Sequence, residues 1–442
     1  MKTNSMRLFC VLITSLGAAS VAFPAGFYNS GAGARSTALG GVYTASGDSA
    51  LEAMAINPAG LTTLTSRTVD LSFEGLFARG SFVNSANSDG RLQHTAGLVP
   101  FGAFGTPIGK SRFSIGFAET PELMTAAKWR YVDTPGGVGN ISYGLLDQKS
   151  AILAMRSAAG LGIYIGPKIS IGVTFGAVYN SNTLQTAYVF QNHPALAGLK
   201  TRLDLKTSGV GYDGSVGMLA HPMKRVRFGV AYKTRTTIAS TGDASGNIGV
   251  QLAKLGLGGA RPDFHYDARV DNVLPQSLTV NLIWEANRRT KIVLQEDFVN
   301  WKRAFVDLPV TLTNGINADI NGVLGTNAIS DSIPLKWRNQ FVSRIGVERT
   351  VAENASVRAG YIHANSPVPS STLSPLTAVI MGNTLSTGFG YKHGRARFDA
   401  AYSLDLTAHR NVGQSALKAG EYSNSRVGVG TQSISLMTSI WF

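Results

Sequence analysis

From about residue 66 onward, apolar and polar side chains alternate along the chain with a period of two. One clear run places Ile169, Ile171 and Val173 on one face, with Ser170 and Gly172 on the other. Because successive side chains of a β-strand point to opposite faces, this pattern predicts strands that have one apolar face. About fourteen such runs begin near Thr68, Leu92, Arg112, Leu146, Ile169, Leu205, Val226, Phe264, Lys291, Leu335, Ala355, Met381, Arg395 and Ser425.

The connections between these runs alternate between short and long. The short turns are 107–111, 166–168, 221–225, 286–290, 351–354 and 392–394, and the long segments are 131–145, 190–204, 243–262, 314–334, 367–380 and 410–424. The last run also alternates and ends on Phe442. Short turns on one side and long loops on the other are typical of outer-membrane barrels, whereas a soluble sandwich has no reason to sort its loops by length. We therefore predict an all-β protein, a transmembrane antiparallel β-barrel of about fourteen strands with both termini on the periplasmic side.

The segment before the first strand, residues 23–65, does not alternate and is rich in small residues. Asp48 is a candidate N-cap for a short helix, and Pro58 disfavours the helical conformation at Asn57, so the helix should end there. We expect this segment to fold inside the barrel as a hatch containing short helices, and residues 66–442 to form the barrel. The alternative is a disordered periplasmic tail.

Composition points to an exported membrane protein. Residues 1–22 have a basic start, an apolar stretch and a small-residue cleavage site, as expected for a cleaved signal peptide. No later run of about 18 apolar residues could form a membrane-spanning helix, yet only 15% of the 442 residues are charged. Backbone polar groups inside lipid need internal partners, which a closed barrel provides. Cys10, the one cysteine, lies in the predicted signal, so the mature protein should contain no disulfide, zinc finger or cysteine nucleophile.

The formal net charge of +14 would suggest nucleic acid for a soluble protein. Here the basic residues are scattered along strands and turns instead of clustering with aromatic residues, which argues against nucleic-acid binding. Lipid headgroup phosphates or an anionic substrate are better partners. No catalytic triad spacing, metal cluster or phosphate-binding loop is recognisable, so we expect neither an enzyme nor a cofactor or metal site.

The sequence resembles the FadL-type outer-membrane transporters of long-chain fatty acids and other hydrophobic compounds. The matching stretches span the mature chain; they are 25–27, 31–33, 38–41, 48–50, 57–61, 274–275 with Trp301 downstream, 358–361, 366–369 and the terminal aromatic strand. The resemblance implies a fourteen-strand barrel closed by an amino-terminal hatch. It also implies a route in which an external site captures the ligand, a pocket above the hatch receives it, the hatch rearranges, and the ligand leaves sideways through the wall beside a distorted third strand.

The resemblance assigns candidate roles to several positions. Asn57, Pro58 and Ala59 match the family's hatch motif, and the asparagine would bind the hatch to the wall. In the third and fourth external loops, exposed apolar residues would form a capture site, and the candidates there are Leu196, Leu199, Leu252 and Leu255. The alternative is that the two loops only pack on each other as a lid.

The third predicted strand contains Pro121 between Glu119 and Glu122. Proline cannot donate to the strand ladder, so a bulge or kink is expected, and the family's lateral gate would lie beside it. The alternative is an ordinary barrel bulge.

An anionic headgroup would need a cation, for which Lys336 and Arg338 are the candidates. Other barrel cations are Arg156, Lys233, Arg235 and Arg269, and the family's headgroup contacts do not transfer to this sequence.

The function expected from these observations is outer-membrane transport of long-chain fatty acids or other hydrophobic small molecules. The expected partners are the ligand, outer-membrane lipid and the barrel-assembly machinery, with the protein acting as a monomer. A general porin and a structural or adhesion barrel remain as alternatives. A porin would need an open, charged lumen without an apolar hatch.

Overall fold

The computed structural model describes residues 31–93, 96–380 and 382–442. The predicted signal peptide, the first residues of the predicted hatch and the predicted strand start at Met381 lie outside these ranges.

Fourteen antiparallel strands close into one barrel. The strands, several of them split into two segments, are β1 (Thr68–Asn84), β2 (Asn87–Leu92 and Ala96–Pro107), β3 (Phe113–Val132), β4 (Leu145–Gly166), β5 (Ile169–Val189), β6 (Lys200–Met223), β7 (Val226–Lys233 and Thr236–Asn247), β8 (Asp263–Leu274 and Ser277–Asn287), β9 (Thr290–Val299 and Asp307–Thr313), β10 (Ile329–Pro334 and Gln340–Ala352), β11 (Ala355–Ala364), β12 (Asn383–His393), β13 (Ala396–Asp405 and Ala408–Val412) and β14 (Ser425–Trp441). The first and last strands pair from Thr68 with Trp441 to Val83 with Arg426, which closes the barrel. The predicted fold class is confirmed.

Strand boundaries differ from the prediction where a strand is split. The run predicted to begin at Leu335 begins at Ile329, and Leu335 itself falls in the interruption between the two segments of β10. Leu92 ends the first segment of β2 instead of starting the strand. In both cases the apolar alternation marks one segment and misses the shorter, more polar one.

The outer face of the barrel carries a band of exposed apolar side chains. Phe175 is 65% exposed, Phe341 54% and Leu436 54%, while their neighbours along each strand point inward. Because a soluble sheet would bury such a face, an apolar environment outside the wall is needed. Among the helices of the described residues, none is long and apolar enough to cross a membrane.

Residues 31–65 lie inside the barrel at its short-turn end. They form α1 (Ala34–Ala38), α2 (Ala50–Ala55) and a 3₁₀ turn (Pro58–Thr63). The first helix packs against β12 and β13, the second against β2 and β3, and the 3₁₀ turn against β4 to β6. The described part of the hatch therefore spans the lumen from wall to wall, and we refer to residues 31–65 as the hatch below.

The remaining short helices belong to the long-loop end. They are α3 (Gly249–Lys254), α4 (Trp301–Ala304), α5 (Ala318–Leu324) and the 3₁₀ turns Ser370–Thr372 and Pro375–Thr377.

Candidate functional site

An apolar cavity of about 210 Å³ lies in the long-loop half of the barrel, above the hatch. Its wall is formed by inward-facing side chains of β5, β6, β8, β9 and β10, among them Tyr188, Leu205, Phe264, Leu312 and Ile333. These residues belong to one buried cluster, which exists because strand alternation directs every second side chain inward. A cavity lined by these side chains can hold an apolar molecule and provides few polar groups to bind a hydrated ion.

The loop 190–199 forms part of the cavity roof and is fixed by one carboxylate. Asp331 accepts hydrogen bonds from the Tyr188 hydroxyl at 2.6 Å and from the backbone N–H groups of Gln191, Asn192 and His193 at 2.6–3.1 Å. Since its oxygens are fully engaged, this buried anion acts as a loop anchor and does not repel a ligand as a bare charge would.

The predicted capture residues are only partly brought together. Leu196 lines the cavity and is 7% exposed, and Leu199 packs against the same cluster. Leu252 is buried on α3, whereas Leu255 at the end of that helix is 44% exposed, and neither lines the cavity. The loops do pack together, because Gln251 on α3 donates to the Val138 carbonyl and accepts from the Lys200 N–H. The contacts of Gln251 therefore fit the lid interpretation, while the positions of Leu196 and Leu199 fit the capture interpretation.

The predicted anion contacts lie elsewhere. Lys336 and Arg338 are both exposed and do not line the cavity. Leu335, directly before Lys336, and Trp337, between the two cations, do line it. In this interruption of β10, Leu335 and Trp337 are buried and the two cations are exposed. At the rim of the cavity stands a different cation, the exposed Lys418. This placement does not support an anion-binding role for Lys336 and Arg338.

The second hatch helix is capped by a residue other than the predicted one. The Ser49 side chain, not that of Asp48, accepts a hydrogen bond from the Glu52 N–H at 3.2 Å. Asp48 instead binds two guanidinium groups, Arg35 at 2.6 Å and Arg397 of β13. The prediction of Asp48 as N-cap is wrong by one residue. Ser49 and Glu52 have the Ser-x-x-Glu spacing typical of a helix start, which is the local signal that indicates Ser49 as the cap.

Asn57 joins the hatch to the wall. Its side-chain amide donates to the Met218 carbonyl of β6 at 3.0 Å and to the Val230 carbonyl of β7 at 3.4 Å, while its oxygen accepts from the Ala59 N–H at 3.1 Å. Asn57 is extended and caps the 3₁₀ turn that begins at Pro58, which agrees with the predicted helix stop. Its gating role stays a prediction.

A network of buried ion pairs joins the hatch to the wall. Arg35 on α1 is 4% exposed and binds Glu348 of β10 at 2.8 Å as well as Asp48. Glu348 in turn binds Arg358 of β11 at 2.6 Å. Sequence reasoning missed this network because the pair that joins hatch to wall, Arg35 and Glu348, is 313 positions apart in the chain.

The wall is interrupted beside Pro121. Strands β2 and β3 pair from Pro107 with Ser114 up to Gly102 with Glu119, and the next pair among the described residues is Leu92 with Trp129. On its other side β3 stays paired with β4, with a bulge between Pro121 and Leu123. The predicted bulge is present, and the break in pairing covers residues 120–127 of β3 on the side of β2.

The two glutamates beside Pro121 occupy different faces. Glu119 shares the outward face with Phe117 and accepts a hydrogen bond from the Ser157 hydroxyl. Glu122 points into the lumen and binds Lys233. The cost of the outward-facing Glu119 charge is reduced by its hydrogen bond from Ser157.

A second cavity of about 130 Å³ adjoins the break and the hatch. Pro121 and Leu123 line it from the wall, and Met54 and Ile56 line it from the hatch. It is more polar than the upper cavity, since charged side chains of several strands also reach it.

A buried ion cluster ties three external segments together. The Lys200 ammonium, at the start of β6, is fully buried and lies 3.0 Å from Asp133 and 2.7 Å from Glu421 in the loop 413–424. It also donates to the Thr134 carbonyl at 2.8 Å. Glu421 lines the upper cavity, so the cluster fixes part of that cavity's roof.

The stability of the cavity roof should depend on pH through the ionisation of Glu421. Burial, opposed by Lys200 and reinforced by the negative charge of Asp133, raises the pKa of Glu421 to about 7. An acid whose folded pKa lies above its unfolded value near 4.5 binds more protons when folded. The docked loop 413–424 should therefore lose stability as the pH rises from about 4.5 to about 7, by at most about 3 kcal/mol in total.

We expect external protease to cut the loop 413–424 in reconstituted protein faster at pH 8 than at pH 6. The variant Glu421→Gln should flatten this dependence, because the group no longer ionises. Lys302→Gln, at an exposed position on α4, serves as the control. Equal cutting rates of the wild type at both pH values would contradict the assignment.

Comparison with known proteins shows which family and which solved structures this architecture resembles. The family model described as outer membrane protein transport protein (OMPP1/FadL/TodX) matches residues 15–435. Among solved structures, a FadL homologue of Pseudomonas aeruginosa is 16% identical with a TM-score of 0.73, covering 96% of this chain and 100% of that one. The toluene transporter TbuX of Ralstonia pickettii is 19% identical with a TM-score of 0.71, covering 93% and 99%. The toluene transporter TodX of P. putida is 18% identical with a TM-score of 0.73 over the same shares. No curated protein sequence matches this chain.

Proposed function

This chain belongs to the OMPP1/FadL/TodX family of outer membrane transport proteins, a family of non-enzymatic channels for hydrophobic compounds, and we propose that it imports long-chain fatty acids or other hydrophobic small molecules by a lateral route. The observation that carries the proposal is the pairing of an apolar cavity with a hatch that fills the lumen beneath it. A solute that enters from the long-loop end meets the cavity first, and the hatch bars a straight path below.

The proposed route has four stages. The ligand is captured at external loops 3 and 4, passes into the upper cavity beside Leu196, and moves downward when the hatch rearranges around Asn57. It then leaves through the break beside Pro121 into the membrane. An apolar molecule on this route never has to cross a water-filled channel, which keeps its transfer free energy favourable throughout.

Two ligand classes suit the cavity. Fatty acids carry a carboxylate, for which Lys418 at the rim is an available partner. Aromatic hydrocarbons carry no charge and need only the apolar wall, and two structurally similar proteins are described as toluene transporters. Competition between a fluorescent fatty acid and toluene for the purified protein separates these classes.

The test of the function is uptake by reconstituted vesicles. We expect the protein to accelerate entry of a fluorescent fatty acid or of toluene, and to leave vesicles impermeable to sugars. Rapid swelling in sugar solutions would favour a general porin, and neither activity would favour a structural or adhesion barrel. Monomeric state and insertion by the barrel-assembly machinery remain predictions; mass measurement of the detergent-solubilised protein tests the first.

A charge in the cavity should weaken ligand binding. In Leu196→Asp, the lost apolar contact is worth about 1.5–3 kcal/mol, so affinity for a hydrophobic ligand should fall about tenfold or more. Val323→Asp, at a 73% exposed position on α5 outside loops 3 and 4, introduces the same charge away from the cavity and is the control. Fluorescence titration measures both. Equal affinity of the Leu196 variant and the wild type would remove this residue from the binding site.

A further inference from the structure

We propose that the ion pair between Glu122 and Lys233 is a latch across the lumen, and that it must open for a ligand to pass from the upper cavity to the break in the wall. The inference rests on the proposed lateral route and adds to it two positioning residues that control passage.

Glu122 faces the lumen at the β3 bulge. Ala118 and Thr120 are buried on the inner face, so the alternation of β3 continues inward at Glu122. Pro121 pairs with Met155 of β4, and the following pair joins Leu123 to Ala154, so Glu122 is an extra residue without a partner in the β3–β4 ladder. The bulge therefore turns both Glu122 and the buried Leu123 toward the interior.

Lys233 approaches from the other side of the lumen. It is the last residue of the first segment of β7, directly before the strand is interrupted. Three strands lie between β3 and β7, and neighbouring strands are about 4.8 Å apart. An ion pair between these two strands therefore cannot run along the wall and must cross the interior.

Two further groups make this pair part of a balanced cluster. Arg156 of β4 lies 3.8 Å from Glu122 and binds Asp213 of β6 at 2.7 Å. The four groups carry two positive and two negative charges, and their side chains are at most 27% exposed. With little water to replace a lost partner, the pair is held more firmly than a surface salt bridge.

The position of the pair makes it an obstacle on the route. Glu122 and Lys233 line the lower cavity together with Pro121 of the broken wall and with Met54 and Ile56 of the hatch. On the proposed route, a ligand moves from the upper cavity through this space to the part of the break beside Pro121. An uncharged ligand offers neither group a substitute partner, so the two must separate and close again behind it.

The first experiment opens the latch by one substitution. In Lys233→Gln, Glu122 keeps its contact with Arg156, so no isolated charge is left behind. We expect release of preloaded ligand to vesicle lipid to become about tenfold faster, with equilibrium affinity for the upper cavity unchanged. Lys206→Gln on the outer face of β6, 64% exposed and paired with Asp204, should release at the wild-type rate. Release from Lys233→Gln at the wild-type rate would overturn the proposal.

The second experiment closes the latch covalently and does not depend on how the first variant folds. Because Cys10, in the predicted signal, is the only cysteine, Glu122→Cys/Lys233→Cys gives two addressable thiols. With a cleavable bifunctional thiol crosslinker attached, ligand should still bind but release should stop, and cleavage of the linker should restore it. Release that continues unchanged in the crosslinked protein overturns the latch. If the wild type itself moves no hydrophobic ligand, the proposed function fails instead.

Discussion

Bridging the break between β2 and β3 is expected to lower release of hydrophobic ligand into the membrane by about tenfold or more, while binding in the upper cavity persists. The positions to join are Phe101 and Thr120, which would be the next pair if the register from Gly102 with Glu119 continued. Both side chains are buried and face inward. A thiol crosslinker in Phe101→Cys/Thr120→Cys would therefore hold the two strands together where the ladder stops.

The matched control lies two residues further along each strand. Ala103 and Ala118 are already paired, and both are 2% exposed. A crosslink in Ala103→Cys/Ala118→Cys places the same reagent on the same inner face without closing anything, so release should remain at the uncrosslinked rate. If bridging 101 to 120 leaves release intact, the ligand does not leave through this break and must pass downward beside the hatch.

Loss of Arg35 is expected to loosen the hatch. Its guanidinium is shared by Asp48 of the hatch, whose side chain is 35% exposed, and by Glu348 of the wall, with which it forms a buried pair. Removing one partner of a buried ion pair typically costs about 3–5 kcal/mol, because the opposite charge stays buried without compensation. Remaining contacts of Asp48 with Arg397 and of Glu348 with Arg358 place the expected effect of Arg35→Ala at the lower end of that range.

Two measurements report on this change. Backbone amides of the hatch should exchange hydrogen faster in Arg35→Ala, whereas amides of β1 and β14, which close the barrel, should not. Vesicles with the variant should also admit small sugars that the wild type excludes. Arg67→Ala, at an exposed position just after the hatch, is the control. Unchanged exchange in the hatch would mean that packing, and not this ion network, holds it in place.

Much of the barrel follows from the sequence because strand alternation is a local property. A half-buried strand must place apolar residues at every second position, so the runs near Thr68, Ile169, Val226, Ala355 and Ser425 coincide with observed strand starts. Local backbone chemistry likewise predicted the stop at Asn57, since proline restricts the residue before it. The same reasoning failed at Leu335, where an interruption resets the pattern.

The partners of inward-facing charges were decided by the tertiary structure alone. Arg35 and Glu348 are 313 positions apart, and nothing in either local sequence indicates that they meet. Closure of the barrel brings them together, because it sets which strand faces which part of the hatch. In the closed barrel the carboxylate of Asp48 binds Arg35 and Arg397, while Ser49 caps the helix.

The face on which a charge lies also depends on the fold wherever a strand is irregular. Period-two counting places Glu119 and Glu122 on opposite faces, but only the closed barrel shows that Glu122 is the one turned inward, toward Lys233. Lys336 and Arg338 show the same limit, since they flank Trp337 in an interruption where alternation alone could not say which set lines the cavity. The sequence by itself therefore determined most of the strand starts, the helix stop at Asn57 and the family. The cavity lining, the break in the wall and the ion pairs that cross the lumen were fixed by barrel closure, because each depends on residues that only the closed barrel brings together.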